Sequence, residues 1–267
     1  LKRVKKYKPD IIQTWLYHGD FFGVFLSIFL NNRKLIWNIR QSNISLRMNK
    51  FSTVLLIYLN SFLSKIVPKL IIYNSIKSLK VHNKIGFSSK KAKIIPNGFD
   101  TNFFKPNTEN KNKIKKILNI NLKAKLIGFI GRFDPQKNHE GFIKAALLVK
   151  KKLPDTIFLM AGDGVDSNNS YLRNLLEKNS LKDNFLLLGI RNDINSIISS
   201  LDLSVCFSLG EGFPNILGES MSCGIPCIVS DVGDCKKILN EPEWVVNSGD
   251  FNLLAHKIIK MLSLNDF

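Results

Sequence analysis

The chain has 267 residues, 45% of them hydrophobic, enough for a sizeable buried core and close to the length at which chains divide into two domains. No run reaches the roughly 20 apolar residues that a membrane-crossing helix needs: FFGVFLSIFL is too short, and FSTVLLIYLNSFLSKIVPKLII is broken by Asn60, Lys65, Pro68 and Lys69. The formal charge of +18 is unevenly divided, with 19 Lys and Arg against 3 Asp and Glu in residues 1–105, a net +16, and 20 against 18 in residues 106–267, a net +2.

A compositional bias toward Lys would affect both halves alike, so the basic first half calls for its own explanation. With its many aromatic residues it suits an anionic membrane surface, an anionic acceptor or, less well, nucleic acid. The basic start LKRVKKYKPD lacks a signal-peptide core and cleavage pattern, which points to a cytoplasmic protein. Cys206, Cys223, Cys227 and Cys235 have neither zinc-type spacing nor neighbouring histidines, and read as buried reduced thiols.

In chain order, DIIQTW reads as a strand, GDFFGVFLSIFLNN as a helix, KLIWNI as a strand, FSTVLLIYLNSFLSKIV as a helix, KLIIYNS as a strand and IKSLKVHNKIG as a helix. KAKIIPNGFD is a last strand entering a turn, and the Asn/Lys-rich FFKPNTENKNKIKKILNI is a boundary with a short helix inside it. A second series follows, with strands KLIGFIG, TIFLMAG, NFLLLG, LSVCFS and PCIVSD separated by helices HEGFIKAALLVKKKL, SYLRNLLEKNSL, DINSIISSL and PNILGESMSCG. Alternation of this kind implies parallel sheets flanked by helices, and two series imply two doubly wound domains that bind ligands at the carboxyl ends of their strands. We divide them as residues 1–105 and 106–267. The first series lacks an opening strand with a Gly-rich turn, so the N-terminal domain is expected to be incomplete in this chain, and the end is expected to stop within or just after a helix.

Polar motifs fall at the strand ends. IGRFDPQKN sets Arg132 and Lys137 five residues apart around a proline turn, a pair of cations suited to a diphosphate, since Arg supplies a forked donor and Lys a compact point charge. LSVCFSLGEGFPN is a strand followed by a loop, with Pro214 at the first turn of the next helix and Gly212 allowing close approach to an anion held on free backbone N–H groups. Glu219, about one and a half turns into that helix, can accept hydrogen bonds from vicinal hydroxyls, and Glu211 from a sugar ring. Paired carboxylates also fit glycoside hydrolysis, a reading that leaves the phosphate-binding features without a task. His18 lies near a strand end and can line an acceptor cleft; His139 is expected on an exposed helix start.

The segments EGFPNILGESMSCGIPCIVSDVG, IPNGFDTNFFKP, GRFDPQKN and LLLGIRNDINSIISSLDLSVCFSLGEGFPN together resemble the retaining family 4 glycosyltransferases of GT-B fold, in order and spacing, over roughly residues 92–235. The resemblance implies an α/β GT-B architecture of two Rossmann-like domains. It implies that Arg132 and Lys137 hold the donor diphosphate and Glu211 contacts the donor sugar. Backbone at Gly212, Phe213, Pro214 and Asn215 would lie beside the sugar and distal phosphate, Glu219 would bind the ribose, Ile190 and Arg191 would border the nucleobase, and Pro96-Asn97-Gly98 would sit near the interdomain connection.

The implied activity is transfer of a sugar from a nucleotide-diphosphate donor, as co-substrate, to a polysaccharide or glycolipid acceptor that is lipid-linked, with no cofactor and no metal, since no Asp-x-Asp occurs in the chain. The expected location is cytoplasmic, peripheral at the inner face of the plasma membrane. Where many relatives carry a histidine after the strand KLIWNI, this chain has Asn38 and Arg40, and Arg40 joins His18 as a candidate on the acceptor side. The alternatives are another GT-B enzyme, such as a sugar-nucleotide epimerase or a phosphorylase, and an inactive nucleotide-sugar-binding fragment. A nucleic-acid partner is not expected, because the charge does not alternate with aromatics on an intact binding module.

Overall fold

The computed structural model describes residues 6–7, 9–31, 34–44 and 49–264. The α carbons cluster into two compact units: Leu1–Asn97 with Gly210–Phe213, and Gly98–Leu209 with Pro214–Phe267. The first division falls inside Pro96-Asn97-Gly98. Of the helix end expected at the start, only Lys6 and Tyr7 are described, and both are helical. The helix expected at the other end runs to Leu264.

The first unit carries a four-stranded, fully parallel sheet in the order β1 (Ile12–Trp15), β2 (Leu35–Ile39), β3 (Leu70–Tyr73), β4 (Ala92–Ile94). Helices α1 (Tyr17–Phe29), α2 (Phe51–Ile66) and α3 (Ile76–Lys84) make the crossovers. Its core holds Leu35, Trp37, Ile57, Ile71 and Tyr73, all buried. Beneath the helices runs a polar network that the sequence did not announce. The His82 ring bonds at Nδ1 to the Ser78 carbonyl and at Nε2 to the Tyr17 hydroxyl, both at 2.8 Å. A carbonyl only accepts, so Nδ1 carries the proton and Nε2 accepts from Tyr17. Burial fits that tautomer, since it holds the imidazole neutral and pushes its pKa down to about 4.

The second unit is a six-stranded parallel sheet ordered β10-β9-β8-β5-β6-β7, built from β5 (Leu126–Ile130), β6 (Ile157–Ala161), β7 (Phe185–Leu187), β8 (Leu203–Cys206), β9 (Cys227–Ser230) and β10 (Val245–Val246). Its helices are α4 (Thr108–Ile117), α5 (His139–Lys152), α6 (Ser170–Lys178), α7 (Ile194–Ser199), α8 (Asn215–Ser222), α9 (Cys235–Leu239) and α10 (Phe251–Leu264). Strands β8 and β9 are buried throughout, the signature of central parallel strands covered on both faces. Helix α5 buries Phe142, Ile143, Ala146 and Val149 at three- and four-residue intervals and packs on α10. Lys150, Lys151 and Lys152 in its last turn complement the negative end of the helix dipole. All four cysteines are free and buried, and burial pushes the Cys223 thiol up to about 11 and Cys227 to about 12, which keeps both protonated and inert.

Asp20 in α1 accepts from the Thr14 hydroxyl at 2.6 Å, yet it is buried, and desolvation raises its pKa to about 7 against the opposing pull of Thr14 and the Asn38 backbone. A carboxyl whose folded pKa lies above its unfolded one binds its proton longer when folded. Its contribution to stability is therefore intact below pH 4 and is lost as pH rises to 7; His82, shifted the other way, has the opposite sign between about 4 and 6.5. Comparing wild type with Asp20→Asn isolates the carboxyl. The variant's advantage in unfolding free energy, measured by chemical denaturation, should grow from pH 4 and level off above pH 7 near roughly 4 kcal/mol. A pH-independent difference would show that Asp20 ionises freely in the fold.

Candidate functional site

In the second unit the strand order reverses between β5 and β8, neighbours that pair in parallel at Ile127–Leu203 and Gly128–Ser204. Each strand sends its crossover to a different side, so the loops at their carboxyl ends part, and that is where open α/β sheets bind ligands. The expected cations and the expected carboxylate-bearing helix follow these two strands.

After β5 the chain turns sharply. Gly131 N–H bonds to the Ala161 carbonyl at 2.8 Å and Phe133 N–H to the Asp163 carbonyl at 2.7 Å, stitching the loop to the end of β6. Asp134 then caps a single 3₁₀ turn, Pro135–Lys137, by accepting from Gln136 N–H. The exposed Arg132 guanidinium pairs with Asp134, with Nε 3.1 Å from Oδ2. The Lys137 methylenes lie 3.5 Å from where a Cβ on Gly131 would stand, so the lysine stem folds back over the strand end. Asn138 sits in the left-handed region, at φ 61°, and its side chain caps α5 through Gly141 N–H.

His139 corrects an expectation. It opens α5, as expected, but is buried and not exposed: its ring packs edge-on to Phe129 and tilted to Phe133, at 5.0 and 5.2 Å between centroids. Neither ring nitrogen has a hydrogen-bond partner among the described residues, and burial lowers its pKa to about 4, with the Gly131 backbone and Asp134 opposing that shift. It serves as an aromatic prop beneath the Arg132 loop.

After β8 the loop is anchored to that first loop, since Leu209 N–H bonds to the Gln136 carbonyl at 2.7 Å. Pro214 is the N-cap of α8, one residue ahead of the first-turn position expected for it. Ser220 on α8 donates to Ser204 on β8 at 2.8 Å, fixing the helix to its strand. Gly218 is required by packing, because a Cβ there would lie 2.2 Å from Cζ of the Phe99 ring. One residue on, Glu219 is half-buried. Its carboxylate forms no hydrogen bond or ion pair among the described residues, and desolvation holds its pKa above the usual carboxylate range.

The segment Gly210–Phe213, with Glu211, Gly212 and Phe213 all half-buried, clusters with the first unit. Within that unit the Ser42 hydroxyl donates to the Glu211 carbonyl, and a Cβ on Gly212 would meet the Arg40 carbonyl at 2.7 Å, which is why glycine occupies the position. Asn215 is exposed at the start of α8. Ile190, 72% exposed, and Arg191 follow β7; Arg191 is held by a bidentate pair to Asp193, at 2.8 and 2.7 Å, so its guanidinium braces the loop. His18 is exposed in the first turn of α1, and Arg40, exposed after β2, donates to Asn97 Oδ1 at 2.6 Å.

Sequence reasoning missed Asp134, Asp193 and Gly162. The first two are each two residues from the cation they hold, a spacing that carried the signal. Gly162 ends β6 at φ 145° and carried no local signal. Among the described residues no group of three or more His, Cys, Asp and Glu side chains is placed to hold a metal ion.

Residues 110–267 match the family model described as glycosyl transferases group 1. The chain is 31% identical over 267 residues to an Escherichia coli UDP-Gal:alpha-D-GlcNAc-diphosphoundecaprenol alpha-1,3-galactosyltransferase, a match covering 97% of this chain and 68% of that protein. It is 28% identical over 223 residues, 82% of this chain and 56% of the other, to a Campylobacter jejuni N-acetylgalactosamine-N,N'-diacetylbacillosaminyl-diphospho-undecaprenol 4-alpha-N-acetylgalactosaminyltransferase. The solved structure of Anabaena HepE in complex with UDP and glucose matches with a TM-score of 0.87 at 22% identity, over 99% of this chain and 71% of that one, a likeness of fold. The chain thus spans between about a third and two thirds of the length of the first curated relatives it matches.

The Arg132 loop depends on a glycine outside it. A Cβ on Gly162 would stand 2.3 Å from the Gly131 carbonyl oxygen, and φ 145° is closed to an L side chain. Gly162→Ala should therefore cost about 1–3 kcal/mol of unfolding free energy by strain and displaced backbone, while Gly249→Ala, with open space around its Cβ but φ 85°, pays only the backbone strain. Equal losses in the two variants would show that Gly162 is not pressed against the Arg132 loop.

Proposed function

The chain belongs to the glycosyl transferases group 1 family, and from that membership we propose that it transfers a sugar from a nucleotide-diphosphate donor to a lipid-diphosphate-linked acceptor, with retention at the anomeric carbon and without a metal. The observation that carries this reading is the Glu219 carboxylate, half-buried and unpaired on a helix that follows one strand of the switch point, with Arg132 and Lys137 following the other. A desolvated carboxylate lacking a partner suits two vicinal hydroxyls, and a ribose supplies them. Two cations and the N–H groups at the N-terminal end of α8 suit the diphosphate beside it.

The electrostatics then account for the chemistry. As the bond between the anomeric carbon and the diphosphate breaks, the electron pair stays on the leaving oxygen. Arg132, Lys137 and the helix N–H groups stabilise the charge that grows there, which replaces the metal in this proposal. The acceptor hydroxyl joins the anomeric carbon from the face the diphosphate leaves, and its proton passes to the departing phosphate oxygen. Glu211 is assigned to the donor sugar by its place eight residues before Glu219, with the backbone from Gly212 to Asn215 beside the sugar and distal phosphate. Ile190 and Arg191 are assigned to the edge of the nucleobase, and His18 and Arg40 to the acceptor. No cofactor enters this scheme.

The choice of a lipid-linked acceptor is supported by the two relatives named for diphosphoundecaprenol-linked sugars, and the α linkage in both names agrees with retention from an α-linked donor. No helix among the described residues is long and apolar enough to cross a membrane, and we place the reaction at the cytoplasmic face of one. The test is calorimetric titration with UDP, GDP and ADP, with chelator present, on wild type, Glu219→Gln and Arg132→Ala. One nucleotide should bind, about tenfold to a hundredfold more weakly to each variant, the loss of one hydrogen-bonded charge. A nucleotide that binds all three proteins equally, or only once a divalent ion is restored, would overturn the site or the metal-free scheme respectively.

A further inference from the structure

Helices α1 and α2 carry large apolar side chains on their outward as well as their inward faces. The residues α2 buries fully are Ile57, Asn60, Ser61 and Ser64, three of the four polar, with Leu56 and Leu63 partly buried against the same core. Two of them hold the helix to its neighbours: Asn60 Nδ2 donates to the Tyr17 carbonyl at 2.8 Å, and Ser64 Oγ accepts from Ser88 N–H at 2.9 Å. The outward stripe is Phe51, Leu55, Tyr58, Phe62 and Ile66, each 54% to 73% exposed and spaced three or four residues apart on one face. Helix α1 shares part of the arrangement, burying Asp20, Gly23 and Ser27 beside Tyr17 and Val24 while Phe22, Phe25 and Phe29 stand 53% to 58% exposed. The two helices pack against each other, and their outward stripes meet where Ile28 and Ile66 line one cavity of about 620 Å³. Single exposed apolar residues need no explanation, but a contiguous face of this kind on two helices marks an interaction surface.

The charge around the face identifies its partner. Lys69 and Lys91 line that same cavity, and burial first, then the neighbouring Lys69, holds the Lys91 ammonium below the usual lysine range. Two ammonium groups sharing one pocket repel until an anion lies between them. Residues 21–99 contain 13 Lys and Arg and no Asp or Glu. Apolar stripes set among cations with no carboxylate nearby fit an interface whose apolar depth lies beneath a sheet of negative charge. A second copy of this chain would bring the same positive charge against itself.

We propose that the outward face of α1 and α2 docks on an anionic lipid bilayer, with Phe22, Phe25, Phe29, Leu55, Phe62 and Ile66 reaching the acyl boundary and the Lys69–Lys91 cavity taking a lipid phosphate. The preference for a bilayer over an acidic protein rests on the lipid-linked acceptor proposed above. The docking residues belong to the first unit, and the nucleotide residues Arg132, Lys137 and Glu219 to the second, so the two readings fail separately.

The experiment is flotation of the whole chain with vesicles of phosphatidylcholine mixed with phosphatidylglycerol, and with phosphatidylcholine alone, at low and high salt. Wild type should float with the anionic vesicles and be released by salt. Phe25→Ser combined with Phe62→Ser, and separately Lys69→Gln combined with Lys91→Gln, should each weaken binding at least tenfold while circular dichroism and nucleotide titration stay as in wild type. Equal flotation with both vesicles, no flotation, or flotation that neither variant changes would overturn the docking. So would self-association, read by sedimentation, that the Phe25→Ser and Phe62→Ser substitutions abolish. Loss of nucleotide binding with flotation intact would count against the transferase reading alone.

Discussion

A parallel sheet whose strand order reverses between β5 and β8 can only part its crossovers there, and the rest of the second unit is arranged around that gap. Both strands are buried by helices on either face, so neither can move without disturbing the core. The loops that leave them are pinned at short range: Gly131 and Phe133 to the end of β6, and Leu209 to Gln136. This pinning matters more than the identity of any one cation. A guanidinium on an exposed loop holds an anion weakly when the loop must first be ordered, and here backbone hydrogen bonds already order it.

Within that frame the charged groups are in different states of readiness. Arg132 already has Asp134 as an exposed partner, and a pair of that kind contributes little to stability, so an anion can draw the guanidinium away at small cost. Arg191 is in a bidentate pair with Asp193, a geometry that holds the loop after β7 more firmly. Glu219 has been removed from much of its water without receiving a partner in exchange. An unsatisfied, half-buried carboxylate lowers the stability of the protein, a loss that any hydroxyl donating to it would restore. The three groups thus differ in what already engages them: an exposed ion pair at Arg132, nothing at Glu219, and a loop brace at Arg191.

Most of this architecture was legible in the sequence, because a parallel strand covered on both faces must be an uninterrupted apolar run. Leu126–Ile130, Ile157–Ala161 and residues 227–229 are such runs, bounded by Gly or Pro on at least one side. The strand Val245–Val246 escaped notice because two residues carry no period, and α9, five residues long, is shorter than the windows in which helical periodicity can be counted. His139 was misjudged for a different reason. Its burial depends on Phe129 and Phe133 closing over it, and an N-terminal helix position says nothing of what the preceding loop folds onto. The buried Tyr17–His82 pair was out of reach for the same reason, with 65 residues between its partners.

The helices of the first unit mark a firmer limit. A period of 3.6 residues reveals that a helix has an apolar stripe, and it leaves open which way that stripe points. In α5 the stripe points in, and Phe142 and Val149 fill the core. In α2 the stripe Phe51-Leu55-Tyr58-Phe62-Ile66 is as regular but points out: the helix joins the core of Trp37, Ile71 and Tyr73 through Ile57, with Leu56 and Leu63 partly buried beside it, and Asn60 and Ser64 add hydrogen bonds. Buried polar side chains hold their partners by direction, whereas apolar ones are held by contact alone. A helix seated by one apolar patch and two hydrogen bonds therefore keeps its orientation without burying its largest side chains.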